Sequence, residues 1–217
     1  MTSAADRPQP ASSLTFADLG PLMAETIARW HHAEDGIDDW DSACRAVPPR
    51  WTSGWAALAE HLQLVNTFQW HEEDRSRDQA ADDAVLAAVK RSIDASNRRR
   101  VQAVDRLDDL IHTDLAAAGV IDPDAPLNSE SPGSIVDRLS VLALKIFHIE
   151  EALAGAGGDR GAMQTRLAGL QEQSEDLGRC LDRLLADIRA GRRGLKLYRQ
   201  VKVYREAASG RLKADLD

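Results

Sequence analysis

The side chains best equipped for chemistry lie in four stretches. In the first, Asn66, Trp70, Glu73 and Arg77 recur at steps of four, three and four, so a helix would align them on one face with His71 and Asp74 beside it. Glu73, Asp74 and His71 are of the types that move protons in general acid–base catalysis, while Arg77 suits an anion. A solvated helix end laced with ion pairs carries the same charges. The amide and the indole on that line argue instead for a partly buried surface, because an indole rarely faces water without a partner. In the second stretch, Lys90, Asp94, Asn97, Arg100, Asp105 and Asp108 follow one another, and Asn97 and Arg100 fall where an apolar stripe should continue. Burying an uncompensated polar group costs roughly 2–7 kcal/mol. Such positions therefore mark either an internally satisfied network or a ligand site.

The third stretch, Ser131-Pro132-Gly133-Ser134, reads as an N-cap serine followed by proline at the first helical position. Its free N–H groups and positive dipole end, with Arg138, Lys145 and the basic fourth stretch around Arg199, Lys202 and Tyr204, would receive a phosphate or carboxylate. The same charges could close on one another instead, with Glu73, Asp74, Asp94 and Asp105 pairing Arg138, Lys145 and Arg199 in a structural lattice. Asp137 belongs to this set as a charge in an otherwise apolar stretch. Metal ligands are not assigned. Of His61 and His71, ten residues apart, only His71 has a carboxylate at helical ligand spacing, Asp74, and no Glu-x-x-His pair on two helices is present. His31, His32, His112 and His148 read as surface or boundary residues. Nucleophilic catalysis has no serine in a sharp-turn motif and no activated cysteine behind it.

These residues need helices to position them. With 43% hydrophobic, 29% charged and only 5% aromatic residues, the 217-residue chain reads as one all-α domain. A bundle of five to six helices is expected over residues 16–206, between a disordered tail, 1–15, and a flexible one, 207–217. Apolar periodicity places helices over about 16–33, 55–77, 82–118, 132–154, 163–190 and 195–205, with an irregular but packed Asp-, Gly- and Pro-rich connection, 34–54, that has room for one short helix. The helix starting near Pro132 is apolar on most sides and so should be central. A net charge of −8 disfavours nucleic acid as a partner. No window approaches the ~18 apolar residues of a membrane span. Cys44 and Cys180 read as reduced thiols, and the expected location is the cytoplasm.

Four separated motifs carry a family resemblance: Asn66-x-x-x-Trp70-His71-x-Glu73-Asp74-x-x-Arg77; Lys90-x-x-Ile93-Asp94-x-x-Asn97; Ser131-Pro132-Gly133-Ser134-Ile135-Val136-Asp137-Arg138-Leu139-Ser140 with Lys145; and Tyr198-Arg199-Gln200-x-Lys202-x-Tyr204. In this order they resemble the domain-of-unknown-function family numbered 4254, over about residues 55–206. That family brings no activity. The resemblance implies company with surface-glycan glycosyltransferases, and so a place in nucleotide-sugar or polysaccharide metabolism. The chain departs from the family pattern at Val101 and Arg205, where asparagine is usual.

Three readings of function follow. The leading one is an enzyme of small-molecule or sugar-nucleotide metabolism in which Arg138, Lys145, Arg199 and Lys202 hold an anionic group. Glu73, Asp74, Asp94 or His71 would then supply acid–base chemistry, with Asn66, Trp70, Arg77, Asn97, Arg100, Ser134, Asp137 and Tyr204 completing the binding surface. The second is a metal-dependent helical phosphohydrolase built on Glu72, Glu73, Asp74 and Asp94 around Mg²⁺ or Mn²⁺. The third is a non-catalytic partner-binding protein, a homodimer using Trp30, Trp40, Trp51, Trp55 and Trp70 as its interface. No cofactor is specified by any of the motifs.

Overall fold

Six α-helices carry the chain in the computed structural model, which describes residues 13–155 and 159–198 together with the backbone of two short strands. They are α1 (Phe16–Ala33), α2 (Trp40–Ala46), α3 (Gly54–Arg75), α4 (Asp83–Ala117), α5 (Pro132–Ala154) and α6 (Arg160–Arg189). Local signals set their ends. Thr15, Asp82, Ser131 and Asp159 each accept an N–H of the first turn, and Asp39 forms a reciprocal capping box with Ser42. α4 and α6 stop at Gly119 and Gly191, both with φ of 68°. In both, the N–H groups beyond the helix fold back onto its last carbonyls, Val120 to Leu115 and Arg192 to Asp187.

The main core gathers Leu19 and Met23 of α1, Leu62 of α3, Leu107 and Ile111 of α4, Leu139 of α5, and Leu181, Leu185 and Ile188 of α6. α5 packs against α1, α3, α4 and α6, as its near-continuous apolar surface requires. The middle of α3 is buried all round, from Leu62 to Phe68. Its second side is covered by a smaller cluster in which Trp30, Ala43 and Val47 meet Leu64 and Phe68. This is why Gln63, Asn66 and Thr67 are buried. Leu14 is already in the core and Thr15 already a cap, so order begins ahead of the expected boundary at residue 16.

The expected last helix, 195–205, is corrected. Its second half is strand β1 (Val201–Arg205), paired antiparallel with β2 (Leu212–Leu216), where a flexible tail was expected. The basic residues do recur at helical spacing, but Val201-Lys202-Val203-Tyr204 also alternates apolar and polar with β-branched and aromatic residues, and that preference prevails. No described helix is long and apolar enough to cross a membrane.

Candidate functional site

α3, α4 and α5 enclose a cleft of about 170 Å³ lined by Asn66, Gln69, Trp70, Glu73, Asp74, Arg77, Arg100, Val141 and Leu144. One carboxylate ties the three helices together. Asp137 of α5 accepts from Arg100 Nε at 2.8 Å and Nη2 at 2.7 Å, and from Asn66 Nδ2 at 2.9 Å. Asn66 also donates to Ser140 Oγ at 2.9 Å. The side chains of Asp137 and Arg100 are 14% and 33% exposed, so this is a partly buried, two-pronged ion pair. Helical geometry explains the convergence: the four-three-four line on α3 faces α5, and Arg100 enters from α4 one turn before Ala103 rejoins the core.

Part of the lining is already satisfied and part is open. Arg77 pairs with Asp74 at the solvent edge. Glu73 is half-buried, and its carboxylate has no ion-pair or hydrogen-bond partner among the described residues. Gln69 donates to Asn97 at 3.0 Å, and its buried Oε1 has no donor among the described residues. The cleft therefore offers acceptors at Glu73 and Gln69, guanidinium N–H groups at Arg77 and Arg100, and a flat apolar wall at Trp70.

Other expected site residues lie elsewhere. Asn97 is exposed, and the buried stripe of α4 runs through Ser96 instead, so Asn97 does not occupy the core face. Asp94 pairs with Lys90 in the open. Glu72 is buried and held by Arg75 at 2.6 Å, so the four carboxylates of the phosphohydrolase reading are not gathered round one point. Arg138 pairs with Glu130 at 2.7 Å, and Lys145 is exposed. Arg199 lies outside the described residues, as do the side chains of Lys202 and Tyr204. Ser134 lines a separate cavity of about 310 Å³ with Asp105, Leu127, Lys196 and Tyr198.

The anion site expected at the start of α5 is also corrected. Asp108 of α4 occupies it, accepting from Gly133 N–H at 2.6 Å and from Ser131 Oγ at 2.5 Å. Its carboxyl is pushed up from the ordinary aspartate value by burial, against the lowering effect of those two hydrogen bonds. The tryptophans are committed as well. Trp30 and Trp55 are buried, Trp40 packs on Phe68 beneath Arg99, and Trp51 lies against the core.

His71 does not line the cleft, since it follows Trp70 by one residue and so points about 100° further round the helix. It meets His31 of α1 and His148 of α5 in an aromatic cluster, where Trp30 stacks on His71 and Trp70 on His148, each pair 12° from parallel. Burial, followed by the neighbouring His31 and His148, pushes the His71 imidazole down to about 4. Sequence spacing could not show this grouping, because it joins single histidines from three helices.

The fold and cleft define a helical bundle with a mixed-charge pocket among three of its central helices. The family model described as protein of unknown function (DUF4254) matches residues 56–197, and the chain belongs to that family. The match runs from α3 to the approach to β1, so it contains the whole lining of the cleft, while His31 lies ahead of it. No curated protein and no solved structure matches the chain.

Proposed function

We propose that the protein is an enzyme of small-molecule or sugar-nucleotide metabolism whose substrate enters the α3–α4–α5 cleft with an anionic group. The observation that carries this reading is Glu73: a carboxylate without a partner among the described residues, in a concave pocket lined also by two guanidinium groups and an indole. Arg77 and Arg100 hold the anion, Trp70 supports a planar or sugar ring, and Glu73 exchanges the proton. This shifts the anion anchor from Arg138 and Lys145 to residues that the fold brings together. The exposed free thiols of Cys44 and Cys180 support a reducing, cytoplasmic setting.

The test is a thermal-shift and calorimetric screen with nucleotides, sugar nucleotides and sugar phosphates on the wild type, Glu73→Gln and Arg77→Ala. Neither side chain holds the fold together, so both variants should melt like the wild type without ligand. A compound that stabilises the wild type should bind each variant at least about tenfold more weakly, a loss of about 1.4 kcal/mol. Equal affinity for all three proteins, or no binding across the panel, refutes the reading.

A further inference from the structure

The histidine cluster carries a second, independent inference. One ring nitrogen from each of His31, His71 and His148 lies within 4.8 Å of those of the other two. The Nε2 atom of each is buried and has no hydrogen-bond partner among the described residues. Two of the rings have their outer nitrogen fixed: His31 Nδ1 donates to the Ile27 carbonyl at 2.9 Å, and His148 Nδ1 to Glu151 Oε2 at 3.0 Å. A carbonyl or carboxylate can only accept, so Nδ1 carries the proton and Nε2 presents its lone pair. In metal sites, this outer hydrogen bond sets the tautomer and raises the basicity of a ligating histidine.

We propose that His31, His71 and His148 form a binding site for one divalent transition metal of the Zn²⁺ class, held through three Nε2 atoms. Alternative accounts of the cluster fit less well. The three imidazoles meet edge to face, so ring stacking among them does not account for three buried ring nitrogens without a hydrogen-bond partner among the described residues. A nitrogen-only donor set does not suit Mg²⁺ or Ca²⁺, which take oxygen ligands, whereas imidazole suits zinc, copper and nickel. Tetrahedral zinc with bonds of 2.0–2.1 Å spaces its ligands about 3.3 Å apart, so small rotations of the rings complete the closure. Three protein ligands leave a fourth position for water or another ligand. Because the donors come from α1, α3 and α5, the ion would also clamp these helices. His31 lies ahead of the family match, so the site joins that region to α1.

The full-length protein, stripped with chelator and dialysed, is titrated with Zn²⁺ by calorimetry and with Co²⁺ by visible absorbance. One ion per chain is expected. Co²⁺ should develop the d–d bands of a four-coordinate nitrogen site, and Zn²⁺ should bleach them. With zinc about a hundredfold above its Kd, Tm should rise by about 5–10 °C. His71→Gln and His148→Gln, on different helices, should each weaken binding at least about tenfold, while His32→Gln and His112→Gln should not. A wild type that binds neither ion, or binding that survives both ligand substitutions in folded protein, overturns the proposal. The outcome is separable from the cleft reading, since ligand screens on chelated protein test Glu73 and Arg77 without the ion.

Discussion

Asp137→Ala removes the acceptor shared by three helices, and its effect can be worked from the geometry. The carboxylate accepts from two Arg100 nitrogens, Nε reaching both oxygens, and from Asn66 Nδ2. Breaking a fully buried pair costs about 3–5 kcal/mol, whereas an exposed pair contributes about 0–1. At 14% and 33% exposure this pair stands between the limits. Arg100 can turn partly to water, and Asn66 keeps Ser140. The expected loss is therefore about 2–3 kcal/mol, or roughly 5–10 °C in Tm for a chain of this length. Urea unfolding followed by circular dichroism measures it, and the cycle closes with Arg100→Ala and the double variant. Arg100→Ala alone strands Asp137, so the double variant should be more stable than the sum of the single losses predicts, by about 1–2 kcal/mol. Additivity within about 0.5 kcal/mol would refute the claim that this pair organises the cleft.

Two further outcomes test the frame around the site. Asp108→Ala should cost about 2–3 kcal/mol by leaving the Gly133 N–H and the Ser131 hydroxyl without their acceptor. Asp108→Asn should be milder, and the sign of its pH dependence follows from the raised folded-state value. The wild type holds the stabilising contribution of the protonated carboxyl below the ordinary value of 3.8 and loses it as pH rises through the higher folded value. Asn should thus gain on the wild type across that window, and denaturation curves at stepped pH showing no gain would contradict the buried-carboxyl account. At Gly178 of α6 a Cβ would stand 2.2 Å from the Phe16 ring. Gly178→Ala should therefore lose roughly 1–3 kcal/mol to overpacking, despite the helix preference for alanine. A raised Tm would show that Phe16 yields freely.

Much of the local structure was legible in the chain itself. The apolar repeat of α1 marks residues 16–33, and the Ser131-Pro132 cap marks the start of α5, because both signals act over one or two turns. The line Asn66, Trp70, Glu73 and Arg77 could likewise be drawn from spacing, and all four line the cleft. Arg100 and Asp137 could be flagged as charges at apolar positions, but their mutual pairing could not, since 37 residues separate them.

The tertiary structure decided which charges face one another. Packing α4 against the start of α5 put Asp108 on the N–H groups that an anion was expected to fill. The pairing of Arg138 with Glu130 likewise removed it from the cleft. The same packing brought His31, His71 and His148 together, though none of them has a ligand spacing with another along one helix. The physical reason is the range of the forces involved. Caps, turns and helical periodicity are set by neighbours within a few residues, so the sequence alone determines them. A site assembled from three helices depends on how those helices cross and rotate in the core, and each side chain's partners follow only from that arrangement.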